Sequence, residues 1–168
     1  MQTLSSDGGR PPVAIRPGLW LFAPSRESQG GSSWLLEAEA LGSDGDVLVD
    51  CPAFNQANLA MLEQRTAAVG PGTLVLTSRD GHGRCRRFQE ALGWRVLVQE
   101  QEAYLLPGVK QLTSFSGEHC LGAGVRMLWM PGPTPGASVV HVCVGSPADP
   151  AGLDGLFCGR LLLPVAPG

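Results

Sequence analysis

The sequence predicts one α/β domain in which β-sheets form the interior and helices cover the outside. Its 168 residues suffice for a full hydrophobic core, and 43% of them are hydrophobic whereas 16% are charged. The first half alternates strand-like and helical stretches, and the second half contains only strand-like runs. The 23 glycines and 14 prolines predict many short elements joined by tight turns.

In the first half, strands are predicted where apolar residues cluster between turn residues, at 18–23, 32–40, 47–50, 73–77 and 95–99. The Glu and Ala residues within 32–40 leave a helix as the competing prediction, and the Gly-Ser-Asp-Gly sequence at 42–45 favours a hairpin. Helical spacing predicts helices at 55–68 and 83–92, the second with Phe88, Ala91 and Leu92 facing inward. A helical turn at 100–106 is stopped by Pro107.

In the second half, four strands are predicted between Gly and Pro turns, at 109–115, 124–129, 137–144 and 156–163. Residues 1 to about 16 are polar and proline-containing and are predicted to form a flexible N-terminal lead. The expected organisation is therefore this lead, 1–16, followed by a single domain, 17–168.

The net charge of −3 and the absence of a basic stripe argue against nucleic acid as a partner. Arg84, Arg86 and Arg87 form a local basic cluster, which we interpret as the solvated face of a helix. No apolar run reaches the roughly 18 residues that span a bilayer, so membrane insertion is not expected. Five cysteines without a C-x-x-C pair, and no apolar signal segment, predict free thiols in a cytoplasmic protein.

Five fragments resemble, in the right order, the motifs of the metallo-β-lactamase superfamily. They are Ser32–Leu36 (S-S-W-L-L), Val47–Pro52 (V-L-V-D-C-P), Val75–Gly83 (V-L-T-S-R-D-G-H-G), Pro131–Gly136 (P-G-P-T-P-G) and Leu156–Arg160 (L-F-C-G-R). The resemblance implies an αββα sandwich of the metallo-β-lactamase fold. It also implies a C-terminally shortened version, because the chain ends before the segment that carries the family's last histidine.

The same resemblance implies that the metal ligands have been replaced. By position, the family's H-x-H-x-D-H falls on Ser78, Asp80, His82 and Gly83, the histidine of its P-G-H turn on Pro133, and its bridging aspartate on Arg160. Proline has no donor atom, and arginine places a permanent positive charge where two cations need an anion. A dinuclear zinc site is therefore not expected. The remnant active-site cleft would contain Asp50, Ser78, Arg79, Asp80, His82, Pro133, Cys158 and Arg160.

Other chemistry at this cleft stays open on sequence grounds. Asp50, Asp80, His82 and Cys158 are sufficient in kind for one zinc, manganese or iron ion if they converge at one sheet edge. The preferred interpretation is that Asp80 and His82 serve the turn and the helix start, with Asp80 paired to Arg160 or Arg79. Less favoured are a Ser78–His82–Asp50 arrangement for acyl transfer and a Cys158–His82 thiolate pair.

Three functions follow as hypotheses. The favoured one is a catalytically degenerate, metal-free member of this superfamily, without a cofactor, that acts as a binding or assembly module. An edge left uncovered by the shortened C-terminus would then bind a protein partner or a second copy. The alternatives are a metal-dependent hydrolase with a rebuilt mononuclear site, and a sensor of a small anionic ligand held by Arg79 and Arg160.

Overall fold

The computed structural model describes residues 8–145 and 152–162. Within these ranges, seven strands form a mixed sheet in chain order: β1 (Val13–Arg16), β2 (Leu19–Phe22), β3 (Ser33–Leu36), β4 (Val47–Val49), β5 (Thr73–Leu76), β6 (Arg95–Gln99) and β7 (Leu112–Phe115). A second, antiparallel sheet has the order β11-β10-β9-β8. Its strands are β8 (Glu118–Gly122), β9 (Val125–Trp129), β10 (Ser138–Val144) and β11 (Leu153–Phe157).

The mixed sheet changes from antiparallel to parallel pairing at β4. Parallel neighbours require a crossover, and helices supply it: α2 (Gln56–Val69) joins β4 to β5, and α3 (Cys85–Leu92) joins β5 to β6. Two one-turn helices, α1 (Ala38–Leu41) and α4 (Glu100–Ala103), follow β3 and β6. The carboxyl ends of β4, β5 and β6 therefore meet at one edge of the sheet.

Two hydrophobic clusters lie on opposite faces of the mixed sheet. Successive strand residues point to opposite faces, so Leu35 and Leu74 join the cluster under α2 and α3, whereas Leu36 and Val75 join the cluster shared with the second sheet. Burial on both faces explains why these strands are continuous apolar runs instead of alternating ones. The predicted layered α/β architecture is confirmed. No helix in the described part of the chain is long and apolar enough to cross a lipid bilayer.

The predicted flexible lead is wrong at its C-terminal end. Residues 13–16 form β1, which pairs antiparallel with β2 and places Val13 opposite Leu21. Only four residues lie between Pro12 and Pro17, so the sequence pattern predicts a strand only weakly. Antiparallel pairing with β2 stabilises it. Residues 1–7 of the lead lie outside the described residues.

Three further boundaries differ from the sequence prediction. The 32–40 strand ends at Leu36, and the competing helix forms as α1. Strands β3 and β4 still pair antiparallel, as the turn at 42–45 predicts, with α1 inside the connection. Strand β8 was not predicted, and β11 begins at Leu153 instead of 156, because its register is set by pairing with β10. Residue 163 of that prediction lies outside the described residues. Ala91 is exposed, whereas Phe88 and Leu92 are buried as predicted.

A buried ion pair ties helix α2 to the connection between β3 and β4. Asp46 is fully buried and accepts hydrogen bonds from Nε and a terminal nitrogen of Arg65, both at 2.8 Å. The same carboxylate accepts the backbone N–H of Ala38 at 2.8 Å, at the start of α1. A carboxylate without water depends on these donors, so Arg65 is a structural residue.

We expect Arg65→Met to lower the free energy of unfolding by about 3–5 kcal/mol, because it leaves Asp46 buried without its cation. The matched control is Arg86→Met, which breaks an exposed pair with Glu90 and should cost less than about 1 kcal/mol. Urea unfolding of both variants measures the difference. Equal losses would contradict a special role for the buried pair, and Arg65→Met with Asp46→Asn should recover part of the loss.

Candidate functional site

The candidate site lies where the ends of β4 and β5 meet the turn after β11. Asp50 directly follows β4 and is buried, with a backbone φ of 59° that non-glycine residues seldom adopt. Its Oδ1 accepts the backbone N–H of Thr77 at 2.7 Å, and its Oδ2 accepts the Thr77 hydroxyl at 2.6 Å. Burial raises the pKa of Asp50 to about 6, and the negative charge of Asp80 adds to this, whereas the Thr77 hydrogen bonds oppose it.

Two glycines enclose the Asp50 carboxylate. A β-carbon at Gly81 would overlap Asp50 Oδ1, and one at Gly159 would overlap the Thr77 hydroxyl oxygen. Both positions are therefore limited to glycine by close approach of the two loops. Asp50 is hydrogen-bonded to Thr77 and enclosed by backbone, so its environment is that of a structural residue.

The centre of the cleft is occupied by an ion pair. Nε of Arg160 lies 3.2 Å from Oδ2 of Asp80, and a terminal nitrogen of Arg160 donates to the carbonyl oxygen of Gln29 at 2.8 Å. The sequence prediction that Asp80 pairs with Arg160 or Arg79 is confirmed for Arg160. The remaining cavity, lined by these side chains together with Asp50 and Ser78, is about 30 Å³. A cavity of this size holds about one or two water molecules.

His82 faces away from this cleft. It lines a different pocket with Glu27 and Arg84, and burial lowers its pKa. Asp80 and His82 are two residues apart around the 3₁₀ turn Arg79–Gly81, so their side chains leave it in different directions. The sulfur of Cys158 contacts the carbonyl oxygen of Leu156 at 3.7 Å, on its own strand. Pro133 is exposed in its turn.

The predicted set of four ligands is therefore only partly brought together: Asp50 and Asp80 line the same cleft, whereas His82 lines a different pocket. Within residues 8–145 and 152–162, no three His, Cys, Asp or Glu side chains are grouped so that they could hold a metal ion. These residues do not fit the zinc centre that the family resemblance implies. The carboxylate of Asp80 is already paired with the guanidinium of Arg160.

The two nucleophile arrangements are not formed either. Ser78 Oγ and His82 Nε2 are both buried, and neither has a hydrogen-bond partner in the described chain. Asp50 is bonded to Thr77 instead of His82. A serine without a base and an imidazole without an orienting group do not constitute an acyl-transfer site.

The sequence analysis missed Glu102, a fully buried carboxylate beside the cleft. It accepts two hydrogen bonds from Arg79, at 3.1 and 3.2 Å, and one from the backbone N–H of Gly136 at 3.2 Å. It therefore joins the turn after β5 to the 131–136 turn. Locally, Glu102 is an ordinary residue of a short helix, and a partner 34 residues away leaves no signal in the sequence pattern.

No family model matches the sequence, and no curated protein matches it. Among solved structures, the metallo-β-lactamase SMB-1 in complex with mercaptoacetic acid aligns with a TM-score of 0.63 at 19% identity, over 89% of this chain and 64% of that chain. A Cronobacter sakazakii metallo-β-lactamase with a HARLDQ motif aligns with a TM-score of 0.53 at 22% identity, over 80% and 60%. The class B3 di-zinc enzyme LRA-12, from an Alaskan soil metagenome, gives 0.56 at 16%, over 88% and 64%.

These likenesses define the fold. The chain is an α/β protein with the metallo-β-lactamase fold, as the order of its motifs predicts. It spans between 60% and 64% of the length of these three structures. Identities of this size establish architecture, and function has to be argued from the site itself.

The pKa of Asp50 predicts a pH dependence of stability. The folded pKa of about 6 lies above the ordinary value of 3.8, so the folded state holds this proton more tightly and loses stability as pH rises from about 4 to 6. Asn keeps both contacts to Thr77 and tolerates the positive φ. Relative to the parent, Asp50→Asn should therefore gain up to about 3 kcal/mol in free energy of unfolding between pH 4 and 7. Urea titrations at several pH values test this, with the exposed Asp154→Asn as control; a constant difference would refute it.

Proposed function

We propose that this chain is a catalytically degenerate metallo-β-lactamase-fold protein that binds or assembles without a metal ion. The observation that carries the proposal is the Asp80–Arg160 ion pair within a cavity of about 30 Å³. A substrate needs far more room, since ligand pockets typically measure about 300–1,000 Å³.

Electrostatics support this reading. The guanidinium of Arg160 is permanently charged and lies 3.2 Å from Asp80, so a divalent cation at that carboxylate would meet a like charge at short range. Asp50 compensates little, because it is buried and each of its oxygens already accepts a hydrogen bond from Thr77. A rebuilt mononuclear site would have to break both arrangements.

Packing supports it as well. Gly83 stands where the family motif has a histidine, and its φ is +44°. A β-carbon there would lie 3.1 Å from the β-carbon of Cys51, so a larger side chain would be strained and crowded. The loop is thus packed in a way that disfavours the original ligand.

The anion-sensor alternative is also disfavoured at this cleft. Arg79 is engaged by the buried Glu102, and Arg160 by Asp80. An anionic ligand would have to replace carboxylates that are already part of the fold. We therefore place binding elsewhere on the molecule.

The edge strand β1 is the surface we propose for assembly. Val13 and Ile15 are 57% and 50% exposed, and the register with β2 shifts between Ala14 and Arg16. An apolar edge strand without charges at its centre favours pairing with another strand, and a second copy can pair antiparallel through the same residues. All five cysteines are free thiols, which supports a reducing, cytoplasmic setting for this assembly.

The first test is metal content. Purified, untagged protein incubated with zinc, manganese or iron(II) and then dialysed should retain no stoichiometric metal by elemental mass spectrometry. Asp80→Ala and His82→Ala should give the same result as the parent. A stoichiometric metal that either substitution removes would overturn the proposal in favour of a hydrolase, and ester, thioester and phosphodiester substrates would then be assayed.

The second test is the oligomeric state. Sedimentation over a range of concentrations should show a dimer, and Ile15→Lys should shift it to monomer, because a charge on the edge strand opposes pairing. Tyr104→Lys, at a position 70% exposed in the α4 region, is the matched control and should leave the dimer intact. A parent protein that stays monomeric at all concentrations argues against assembly through β1.

A further inference from the structure

A second and much larger pocket lies on the helical side of the mixed sheet. Its volume is about 480 Å³, which falls within the usual range for small-molecule sites. The start of α3 forms one wall, and the segment 105–109 forms the other. It shares no lining residue with the cleft at Asp80 and Arg160.

The two walls differ in chemistry. The α3 side carries Arg84, Arg86 and Arg87, and Glu27 is the one carboxylate among the lining residues that the structure describes. The opposite wall is apolar and consists of Leu105, Leu106, Pro107 and Val109. Two of these arginines are in ion pairs, Arg84 with Glu27 and Arg86 with Glu90, which lies just outside the lining.

The guanidinium groups are held in place and face solvent. Arg84 donates from Nε to Glu27 at 2.8 Å, and Arg86 donates from Nε to Glu90 at 3.0 Å. These side chains are 46% and 61% exposed. A guanidinium has five N–H donors in a fixed fork, and each of these bonds uses Nε. Planar anions such as carboxylates match this fork geometry.

Two further contacts shape the polar wall. The guanidinium carbon of Arg87 lies 4.2 Å from the centre of the Phe54 ring, which fixes its position through a cation–π contact. His82 also lines the pocket, and its Nε2 is buried without a hydrogen-bond partner among the described residues. A buried polar atom of this kind normally has a partner.

We infer that this pocket binds a small organic anion, with a carboxylate or phosphate head against Arg84 and Arg86 and an apolar body against Leu105 and Val109. The inference goes beyond the proposed assembly through β1, because no residue of β1 lines this pocket. It depends on different residues from the cleft argument, so metal content and anion binding can fail independently.

The experiment is a titration followed by amide chemical shifts in NMR spectra of the full chain. Phenylacetate should shift the amides of 82–87 and 105–109 in a saturable manner. Phenylacetamide has the same shape without the charge and should bind about tenfold more weakly, the factor expected for loss of charged hydrogen bonds. Inorganic phosphate lacks the apolar body and should also bind more weakly. Phenyl phosphate, compared with phenylacetate, identifies the preferred head group.

Variants assign the effect to the pocket. Arg86→Gln should weaken phenylacetate binding about tenfold while leaving the rest of the spectrum in place. Arg126→Gln removes a 46% exposed arginine on β9, away from the pocket, and should change nothing. The inference is overturned if shifts do not localise to 82–87 and 105–109, if the amide binds as well as the acid, or if both arginine variants behave alike.

Discussion

The Asp50 carboxylate is the interaction on which this edge of the molecule depends. It is buried at the end of β4, accepts both the N–H and the hydroxyl of Thr77 at the end of β5, and is enclosed by Gly81 and Gly159. Two loops and the turn after β11 thus meet around one negative charge. Its raised pKa records the desolvation, which the two hydrogen bonds offset only in part.

Two other buried carboxylates act in the same manner. Asp46 joins the start of α1 to Arg65 on α2, and Glu102 joins Arg79 to the backbone of Gly136. Each accepts hydrogen bonds from two segments that are distant in the sequence. In a chain with few charged residues, these buried charges fix how loops are placed instead of covering the surface.

The contrast between the two cavities follows from this arrangement. The Asp80–Arg160 ion pair and the enclosed Asp50 leave about 30 Å³ at the sheet edge. The pocket beside α3 retains about 480 Å³, because its walls come from a helix start and a loop that do not interdigitate. The larger cavity of the molecule thus lies away from the cleft that the sequence motifs indicate.

The sequence by itself determined the order of strands and helices in the first half, because runs such as Leu74–Leu76 and glycine stops encode local structure. It left Asp80 with two candidate partners, Arg160 and Arg79, and the tertiary structure pairs Asp80 with Arg160. Tertiary structure alone decided the direction of His82, the role of Glu102 and the register of β11. The physical reason is range: local patterns report on neighbouring residues, whereas these features depend on how two sheets and their loops are stacked.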